Sequence, residues 1–234
     1  MQILPHHIHV WSADLAITPA QADSLQRLLS PDENERLHPI RLSTQRQRFV
    51  AARGMLRQIL SIYLAIPPEQ IQLAYGEHKK PHLNNTHASP IQFNLTHSGD
   101  VALYAIAHSI PVGIDIEKTE TTYNPDIAKR YFSPTENAAI AKLPKNEQAK
   151  AFYTIWSRKE ALIKAIGKGL TMPLTSFSVT ANDISEDIVL NDTTWALTSL
   201  SLYPEFASAL ATKSPINTIS YWRLTSDGYI MIKP

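Results

Sequence analysis

The chain of 234 residues contains no cysteine. Disulfide bonds, thiolate zinc sites and cysteine nucleophiles are therefore excluded as sources of stability or chemistry. The absence of cysteine also fits a reducing compartment, so we expect a cytoplasmic protein.

Long apolar runs and an excess of charge are missing as well. No apolar run approaches the roughly 20 residues that a membrane-spanning helix needs. The N-terminus, MQILPHHIHVW, lacks the basic region and apolar run of a signal peptide. The formal net charge of +1 indicates neither a nucleic acid nor a membrane surface as partner. The 44% hydrophobic content allows one large domain or two small ones, so we expect a soluble globular protein.

The order of predicted elements indicates the α+β class with two similar halves. Long helices are predicted at 45–64 and 147–166, and apolar strands at 101–107 and 206–211, so that a helix with a small antiparallel sheet recurs after roughly 100 residues. We place the halves at 1–112 and 113–234. Further strands of the second half are predicted at 177–180, 195–203 and 219–224, in an antiparallel sheet.

A strand in mid-chain carries two carboxylates. Alternate side chains of a strand point the same way, so Asp115 and Glu117 share one face while Ile114 and Ile116 share the other. Two neighbouring carboxylates repel each other unless a cation lies between them, and hard oxygen ligands suit Mg²⁺ or Mn²⁺. The alternative is the solvent-facing side of an edge strand.

A later amphipathic helix carries a second charged cluster. Glu160 and Lys164 are four residues apart and share one face, with Trp156 and Lys159 along its edge. This arrangement would hold a metal and an anion together; the alternative is an ordinary salt bridge between exposed residues. The helix is predicted to end at Gly167.

Anion-binding groups are also present in the first half. Thr96, His97 and Ser98 precede a predicted tight hairpin and offer hydroxyls, an imidazole and free N–H groups. One helix carries four arginines that would grip phosphate, with a solvated basic face as the alternative; they are Arg46, Arg48, Arg53 and Arg57. In the second half, Ser133 and Glu136 form a predicted helix capping box, which is the first explanation of Glu136.

Three ordered segments resemble the 4'-phosphopantetheinyl transferases of the larger, monomeric, surfactin-synthetase-activating type. They are Phe93-Asn94-Leu95-Thr96-His97-Ser98, Gly113-Ile114-Asp115-Ile116-Glu117-Lys118 and Trp156-Ser157-Arg158-Lys159-Glu160-Ala161 with Lys164. The resemblance implies a pseudo-dimer of two α+β halves. It also implies transfer of the phosphopantetheine arm of coenzyme A to a serine of an apo acyl or peptidyl carrier protein, which releases adenosine 3',5'-bisphosphate. The expected protein is a monomer with internal pseudo-two-fold symmetry.

The resemblance also implies roles for individual residues. Mg²⁺, or Mn²⁺, would be held by Asp115, Glu117 and Glu160. The coenzyme would be bound by Arg48, Arg53, Lys80, Thr96, His97, Asp115, Lys159 and Lys164. Lys164 would neutralise the leaving phosphate, and the serine proton would go to Glu160 or, as second choice, to Glu136.

Two departures from the family pattern bear on the site. Thr96 stands where serine is frequent, which keeps the hydroxyl. Lys79 replaces the glycine before Lys80-Pro81, and a side chain there opposes a positive φ. Two other functions stay open at this point: a phosphohydrolase or nuclease that uses the same carboxylates, and a non-catalytic binder of carrier proteins.

Overall fold

The structure is a computed structural model that describes residues 1–182, 184–213 and 215–233. Residues 183, 214 and 234 of the predicted second half lie outside this description. The helices are α1 (Pro19–Gln26), α2 (Pro31–Glu35), α3 (Ser43–Leu64), α4 (Pro125–Tyr131), α5 (Pro134–Lys142) and α6 (Lys145–Ile166). The strands are β1 (His7–Asp14), β2 (Leu73–Tyr75), β3 (Pro81–Leu83), β4 (Ile91–Ser98), β5 (Val101–His108), β6 (Val112–Lys118), β7 (Glu186–Leu190), β8 (Thr193–Leu200), β9 (Phe206–Lys213), β10 (Thr218–Thr225) and β11 (Gly228–Ile232).

The strands form two main sheets, and the α+β class is confirmed. The first sheet has the order β11-β10-β1-β5-β4, the second has the order β6-β9-β8-β7, and β2 and β3 form a separate pair. The neighbours are antiparallel except β1 and β10, which run parallel with Ile8 opposite Ile219.

The parallel pair corrects the prediction for the last strands. The strand expected at 219–224 exists as β10, but it lies with β11 in the first sheet and not in an antiparallel sheet of the second half. Alternating apolar residues predict a strand, but they do not say which distant strand it joins. The division of the chain at residues 112 and 113 stays a prediction.

The prediction of a strand at 177–180 is also wrong. Its backbone binds charged side chains instead of a neighbouring strand: the Lys159 ammonium is 2.7 Å from the carbonyl oxygens of both Leu174 and Phe177, and the Val179 N–H donates to Glu136 at 2.8 Å. Side chains thus satisfy the polar groups that a strand would have used in a ladder.

The two long helices pack on the sheets, and a central apolar layer lies between the sheets. The α3 helix packs on the first sheet, where the Tyr104 hydroxyl donates to the Ala52 carbonyl at 3.0 Å. The α6 helix packs on the second sheet. Residues such as Leu103 and Ile114 of the two sheets are buried against each other in the layer between them. Among the described helices, none combines the length and apolar character needed to cross a bilayer.

The predicted helix end and hairpin are confirmed. Gly167 follows α6 with φ 81°, a left-handed conformation that favours glycine. Gly99, with φ 57°, turns the chain between β4 and β5 and so sets the end of the Thr96-His97-Ser98 segment.

Gly113 allows α6 to approach β6 closely. A Cβ atom at this position would lie 2.1 Å from the carbonyl oxygen of Ala161 and 2.3 Å from the backbone nitrogen of Ala165. Since both neighbours are backbone atoms inside a helix, they cannot rotate away as a side chain would. The closeness of strand and helix therefore depends on this glycine.

Replacing Gly113 by alanine will separate α6 from β6. We expect Gly113→Ala to lower the free energy of unfolding by at least about 1–3 kcal/mol, the usual cost of overpacking, in urea denaturation. Gly76→Ala is the matched control, because its new Cβ would have no heavy atom nearer than 3.9 Å. Equal unfolding midpoints for the two variants would contradict this reading of the contact.

A buried histidine in β1 makes folding sensitive to acid. The His9 Nδ1 atom is 2.7 Å from the Tyr63 hydroxyl, which also accepts a hydrogen bond from Trp11 Nε1 at 2.8 Å. The Tyr63 proton is therefore directed at the neutral His9 ring. Burial, and to a smaller extent the nearby His7 and the chain N-terminus, lower the pKa of His9 from 6.5 to about 4.

The lowered pKa predicts a loss of stability on acidification. Between pH 6.5 and about 4 the unfolded chain binds a proton at His9 that the folded chain does not, so the free energy of unfolding falls as the pH falls through this window. His9→Gln keeps an acceptor for Tyr63 but does not titrate. Thermal unfolding of both proteins over this range should show a steeper decline for the wild type; parallel curves would contradict the prediction.

Candidate functional site

A cavity of about 670 Å³ lies where β4, β6 and α6 meet, beside α3 and the segment that leads into β3. Its wall includes most of the side chains that the sequence singled out, namely Arg53, Lys80, Thr96, His97, Asp115, Glu117, Glu160 and Lys164. Lys159, Glu136 and Arg48 are not part of the wall among the residues that the structure describes.

The strand and the helix aim their charges into this cavity as their periodicities predict. In β6, Ile114 and Ile116 are buried between the sheets, whereas Asp115 and Glu117 line the cavity. In α6, Glu160 and Lys164 are one turn apart and line the same cavity. Both carboxylate clusters of the sequence therefore meet at one place.

An ion pair joins α6 to β6 at the centre of the wall. The Lys164 ammonium is 2.6 Å from Asp115 Oδ1, and the Thr96 hydroxyl donates to the same oxygen at 3.1 Å. Asp115 is 3% exposed. Its other oxygen, Oδ2, is buried and has no hydrogen-bond partner among the described residues. A buried carboxylate oxygen without a donor favours the approach of a proton or a cation.

The carboxylates of the cavity also raise one another's pKa. Burial, and next the neighbouring Asp115, raise the pKa of Glu117 from 4.5 to about 7. Burial raises the pKa of Glu160, and Asp115 adds to the rise while Lys164 opposes it. The pKa of Asp115 is also raised, chiefly by burial, in spite of Lys164 and Thr96. Burial therefore makes the charged form of each carboxylate costly, and a cation beside them would stabilise that form.

Ser98 and Asn94 connect β4 to β6 where no strand ladder does. The Ser98 hydroxyl donates to Glu117 Oε2 at 3.3 Å and accepts from the Lys118 N–H at 3.0 Å. The Asn94 side-chain oxygen accepts from the Ile114 N–H at 2.9 Å. Asn94 was not predicted as part of the site, and Ser98 was predicted only as a member of the Thr96-His97-Ser98 anion-binding segment. Period-two alternation along β4 from Thr96, in both directions, is the signal that would have found them.

Lys80 lies in the wall of the cavity, but its ammonium group donates hydrogen bonds to backbone carbonyl oxygens. Its ammonium is 3.0 Å from the Val112 carbonyl oxygen and 2.6 Å from that of Lys164. Burial, followed by the Lys164 charge, lowers the pKa of Lys80 from 10.5 to about 8. The preceding Lys79 adopts φ 60°, so the chain takes the left-handed turn here although glycine is absent.

The four arginines of α3 do not act together. Arg53 lines the cavity, with its Nη1 atom buried and 4.0 Å from Glu33. The others are bound elsewhere: Arg46 to the Leu37 carbonyl, Arg57 to Glu33 in a fully buried pair, and Arg48 to Asp100 at 2.8 Å near the surface. Arg57 is therefore out of reach of a phosphate, because it is fully buried with Glu33, whereas coenzyme binding by Arg48 and Arg53 stays a prediction.

Lys159 and Glu136 form a buried ion pair outside the wall. The Lys159 ammonium is 2.9 Å from Glu136 Oε2, and both side chains are almost fully buried. Glu136 also accepts from the Ser133 and Val179 N–H groups, so its capping role is confirmed. We therefore correct two expectations: Lys159 faces the protein interior and not a bound coenzyme, and the Glu136 carboxylate is fully occupied and unavailable as a base.

The donor chemistry of the cavity suits a divalent cation, but a complete set of ligands is not assembled. Within residues 1–182, 184–213 and 215–233, no three His, Asp or Glu side chains are grouped closely enough to hold a metal ion. The free Asp115 Oδ2 atom and the raised pKa values of Glu117 and Glu160 are the features that fit a hard cation.

Comparison with known proteins places the chain in a family. The family model described as "4'-phosphopantetheinyl transferase superfamily" matches residues 111–211, and the one described as "4'-phosphopantetheinyl transferase, N-terminal" matches residues 16–109. The transferase HetI of Nostoc sp. is 36% identical over 172 residues, which are 73% of each chain.

Two relatives from Bacillus subtilis agree with this match. Sfp is 33% identical over 166 residues, which are 71% of this chain and 72% of Sfp. The transferase ffp is 29% identical over 219 residues, which are 89% of this chain and 95% of ffp. The chain therefore belongs to the 4'-phosphopantetheinyl transferase superfamily. Within it the resemblance to the Sfp type is confirmed, and the protein is an enzyme, a 4'-phosphopantetheinyl transferase.

Removing either partner of the buried ion pair between Lys159 and Glu136 should destabilise the whole fold and not only impair the function of the cavity. Lys159→Met leaves Glu136 charged and buried, so we expect the free energy of unfolding to fall by about 3–5 kcal/mol. Glu160→Gln removes a carboxylate that the neighbouring Asp115 repels, so we expect the free energy of unfolding to change by no more than about 1 kcal/mol. Denaturant titration measures both.

A surface lysine serves as the control for this prediction. Lys129, which is 75% exposed and 3.5 Å from Asp126 in α4, should tolerate Lys129→Met with almost no change. A Lys159→Met protein as stable as the wild type would contradict the prediction that the pair between Lys159 and Glu136 stabilises the fold.

Proposed function

We propose that the enzyme transfers the 4'-phosphopantetheine arm of coenzyme A to a serine hydroxyl of an apo carrier protein. The serine oxygen forms a bond to the β-phosphorus of the coenzyme, the bond from that phosphorus to the bridging oxygen breaks, and adenosine 3',5'-bisphosphate leaves. The observation that carries the proposal is the meeting of Asp115, Glu117, Glu160 and Lys164 in one cavity. Family membership supports the same reaction.

The cavity has groups suited to a diphosphate. Lys164 projects from α6 beside Asp115, where its ammonium would offset charge on the leaving phosphate. Thr96 and His97 line the adjoining wall, where His97 would donate to a phosphate oxygen while the one hydroxyl proton of Thr96 is directed at Asp115. Arg53 extends the basic wall towards α3. Lys80 contributes positive charge, although its present donors are directed at two carbonyl oxygens.

Asp115, Glu117 and Glu160 would hold Mg²⁺, or Mn²⁺, once the substrate diphosphate supplies further oxygen ligands. When bound, the cation neutralises the diphosphate and makes phosphorus easier to attack. A cation there would also stabilise the charged forms of these buried carboxylates, whose pKa values are raised. Among the described residues, Asp115 Oδ2 is buried and has no hydrogen-bond partner, which fits a position beside a cation.

Glu160 is our candidate for the base that takes the serine proton. It lies in the cavity wall, and its raised pKa brings its basicity closer to neutral pH. The sequence also suggested Glu136 as the base. Its carboxylate is held by Lys159 and two N–H groups, so we do not propose it as the base. Most of the rate enhancement would come from positioning and charge neutralisation, as in other phosphoryl transfers.

The direct test is the mass of a carrier protein after incubation with the enzyme, coenzyme A and Mg²⁺. We expect the carrier to gain one phosphopantetheine arm. Asp115→Asn, Glu160→Gln and Lys164→Met should each slow the reaction by about a hundred-fold or more, since each removes a charge that acts on the transferring group. Asp126→Asn, on the exposed surface of α4, is the control and should react at the wild-type rate.

Two results would count against the proposal. Unmodified carrier across several carrier classes would contradict the transfer reaction. Cleavage of coenzyme A without any mass gain would instead support the phosphohydrolase alternative that uses the same three carboxylates.

A further inference from the structure

The short helix α2 contributes a buried carboxylate beside the basic wall of the cavity. Glu33 is fully buried, although α2 has only five residues. Its Oε2 atom accepts from Arg57 Nε at 2.7 Å and from the Ser30 N–H at 3.2 Å. Its other oxygen, Oε1, is buried and has no hydrogen-bond partner among the described residues.

The cation next to Glu33 Oε1 is the guanidinium of Arg53. The Nη1 atom of Arg53 lies 4.0 Å from this oxygen, which is an ion-pair distance but too long for a hydrogen bond. The guanidinium carbon also lies 5.6 Å from the ring centre of Phe49 and 5.9 Å from that of Tyr75. These contacts restrain Arg53 from the protein side, while the same side chain lines the cavity.

The donors of Arg53 are not used within the described part of the chain. The side chain is 14% exposed and makes no hydrogen bond to a described residue. A mostly buried polar group normally has a hydrogen-bond partner. Nη1 is buried beside Glu33, so Nε and Nη2 are left for a ligand in the cavity. The planar fork of a guanidinium fits the oxygens of a phosphate, which coenzyme A supplies in its diphosphate and its 3'-phosphate.

Glu33 is itself fixed by a second arginine of α3. Arg57 is fully buried and donates to Glu33 and to the carbonyl oxygens of Ile71 and Pro68, at 2.7 Å and 3.1 Å. Arg57 is therefore fully engaged inside the protein and holds the carboxylate in place. The two arginines thus differ in role, because Arg57 anchors Glu33 and Glu33 lies beside Arg53.

We infer that Glu33 is a positioning residue for coenzyme A, which fixes the Arg53 guanidinium so that its unused donors meet a phosphate of the coenzyme. The inference rests on the proposed function and extends the site to α2, a helix that carries none of the three sequence motifs. A long side chain loses rotamer freedom when it binds a ligand. An arginine that is held in advance therefore binds a phosphate more tightly.

A purely structural role of Glu33 predicts the opposite change in coenzyme binding. Glu33→Gln keeps a side-chain oxygen for Arg57 but removes the negative charge. If only charge mattered, the loss of this carboxylate would leave the cavity more positive, and the phosphates would bind equally well or more tightly. If Glu33 positions Arg53, the same substitution weakens binding. The sign of the change therefore distinguishes the two roles.

Isothermal titration calorimetry with coenzyme A and Mg²⁺, without carrier protein, measures this change. We expect the dissociation constant to rise about three- to tenfold in Glu33→Gln and at least about tenfold in Arg53→Met. The double variant should bind no more weakly than Arg53→Met alone, because Glu33 acts through Arg53. Equal or tighter binding by folded Glu33→Gln, or losses that add in the double variant, would overturn the inference.

Arg53→Lys tests the same point without disturbing the buried pair of Glu33 and Arg57. Lysine keeps the positive charge but lacks the planar fork that a neighbouring carboxylate can orient. We expect this variant to bind coenzyme A at least about tenfold more weakly than the wild type. Binding as tight as that of the wild type would overturn the inference, even if Glu33→Gln does not fold.

Controls separate positioning from stability. Glu35→Gln removes the same charge from an exposed position of α2 and should leave the dissociation constant unchanged. Circular dichroism should show that each variant is folded at the temperature of the titration. In the transfer assay, Glu33→Gln should raise the KM for coenzyme A and leave kcat within about twofold, since Arg53 only binds the coenzyme. A lower kcat at an unchanged KM would overturn the inference.

The outcomes also separate this inference from the proposed function. A wild type that binds coenzyme A but leaves every carrier unmodified would contradict the transfer reaction alone. A wild type that modifies the carrier, together with a Glu33→Gln protein that binds coenzyme A equally well, would contradict the role of Glu33 alone.

Discussion

The contact between α6 and β6 at Gly113 is the constraint on which the site depends. Because this position has no side chain, the backbone of the helix lies directly against the strand. One turn of α6 then brings Glu160 and Lys164 over the face of β6 that carries Asp115 and Glu117. The ion pair between Lys164 and Asp115 joins the two elements at the wall of the cavity. A bulkier residue at the contact would move helix and strand apart, and with them the two groups of charges.

Burial alone does not distinguish the structural charges from those of the cavity. Glu136 and Asp115 are both 3% exposed. The difference lies in their partners: both oxygens of Glu136 accept hydrogen bonds, from Lys159 and two N–H groups, whereas Asp115 Oδ2 has no donor within the described part of the chain. A buried carboxylate with donors on both oxygens stabilises the fold, whereas Asp115 Oδ2, at the wall of the cavity, can accept a cation or a donor from a ligand.

The sequence predicted those parts that local periodicity controls. Alternation in β6 gave the facing of Asp115 and Glu117, and the capping box gave the start of α5. Adjacent helix residues differ in direction by about 100°, so the motif that contains Lys159 and Glu160 could not say that Lys159 faces the interior. The parallel pairing of β10 with β1 also escaped prediction, since it joins residues about two hundred positions apart and depends on the packed core.

We propose that carboxylates of β6 and α6 share one cation with the diphosphate of coenzyme A. Anomalous diffraction from crystals grown with coenzyme A and Mn²⁺ would test it most directly. We expect a single manganese peak bounded by the carboxylates of Asp115, Glu117 and Glu160, with the diphosphate beside Lys164. A peak away from Asp115, or coenzyme bound outside this cavity, would contradict it.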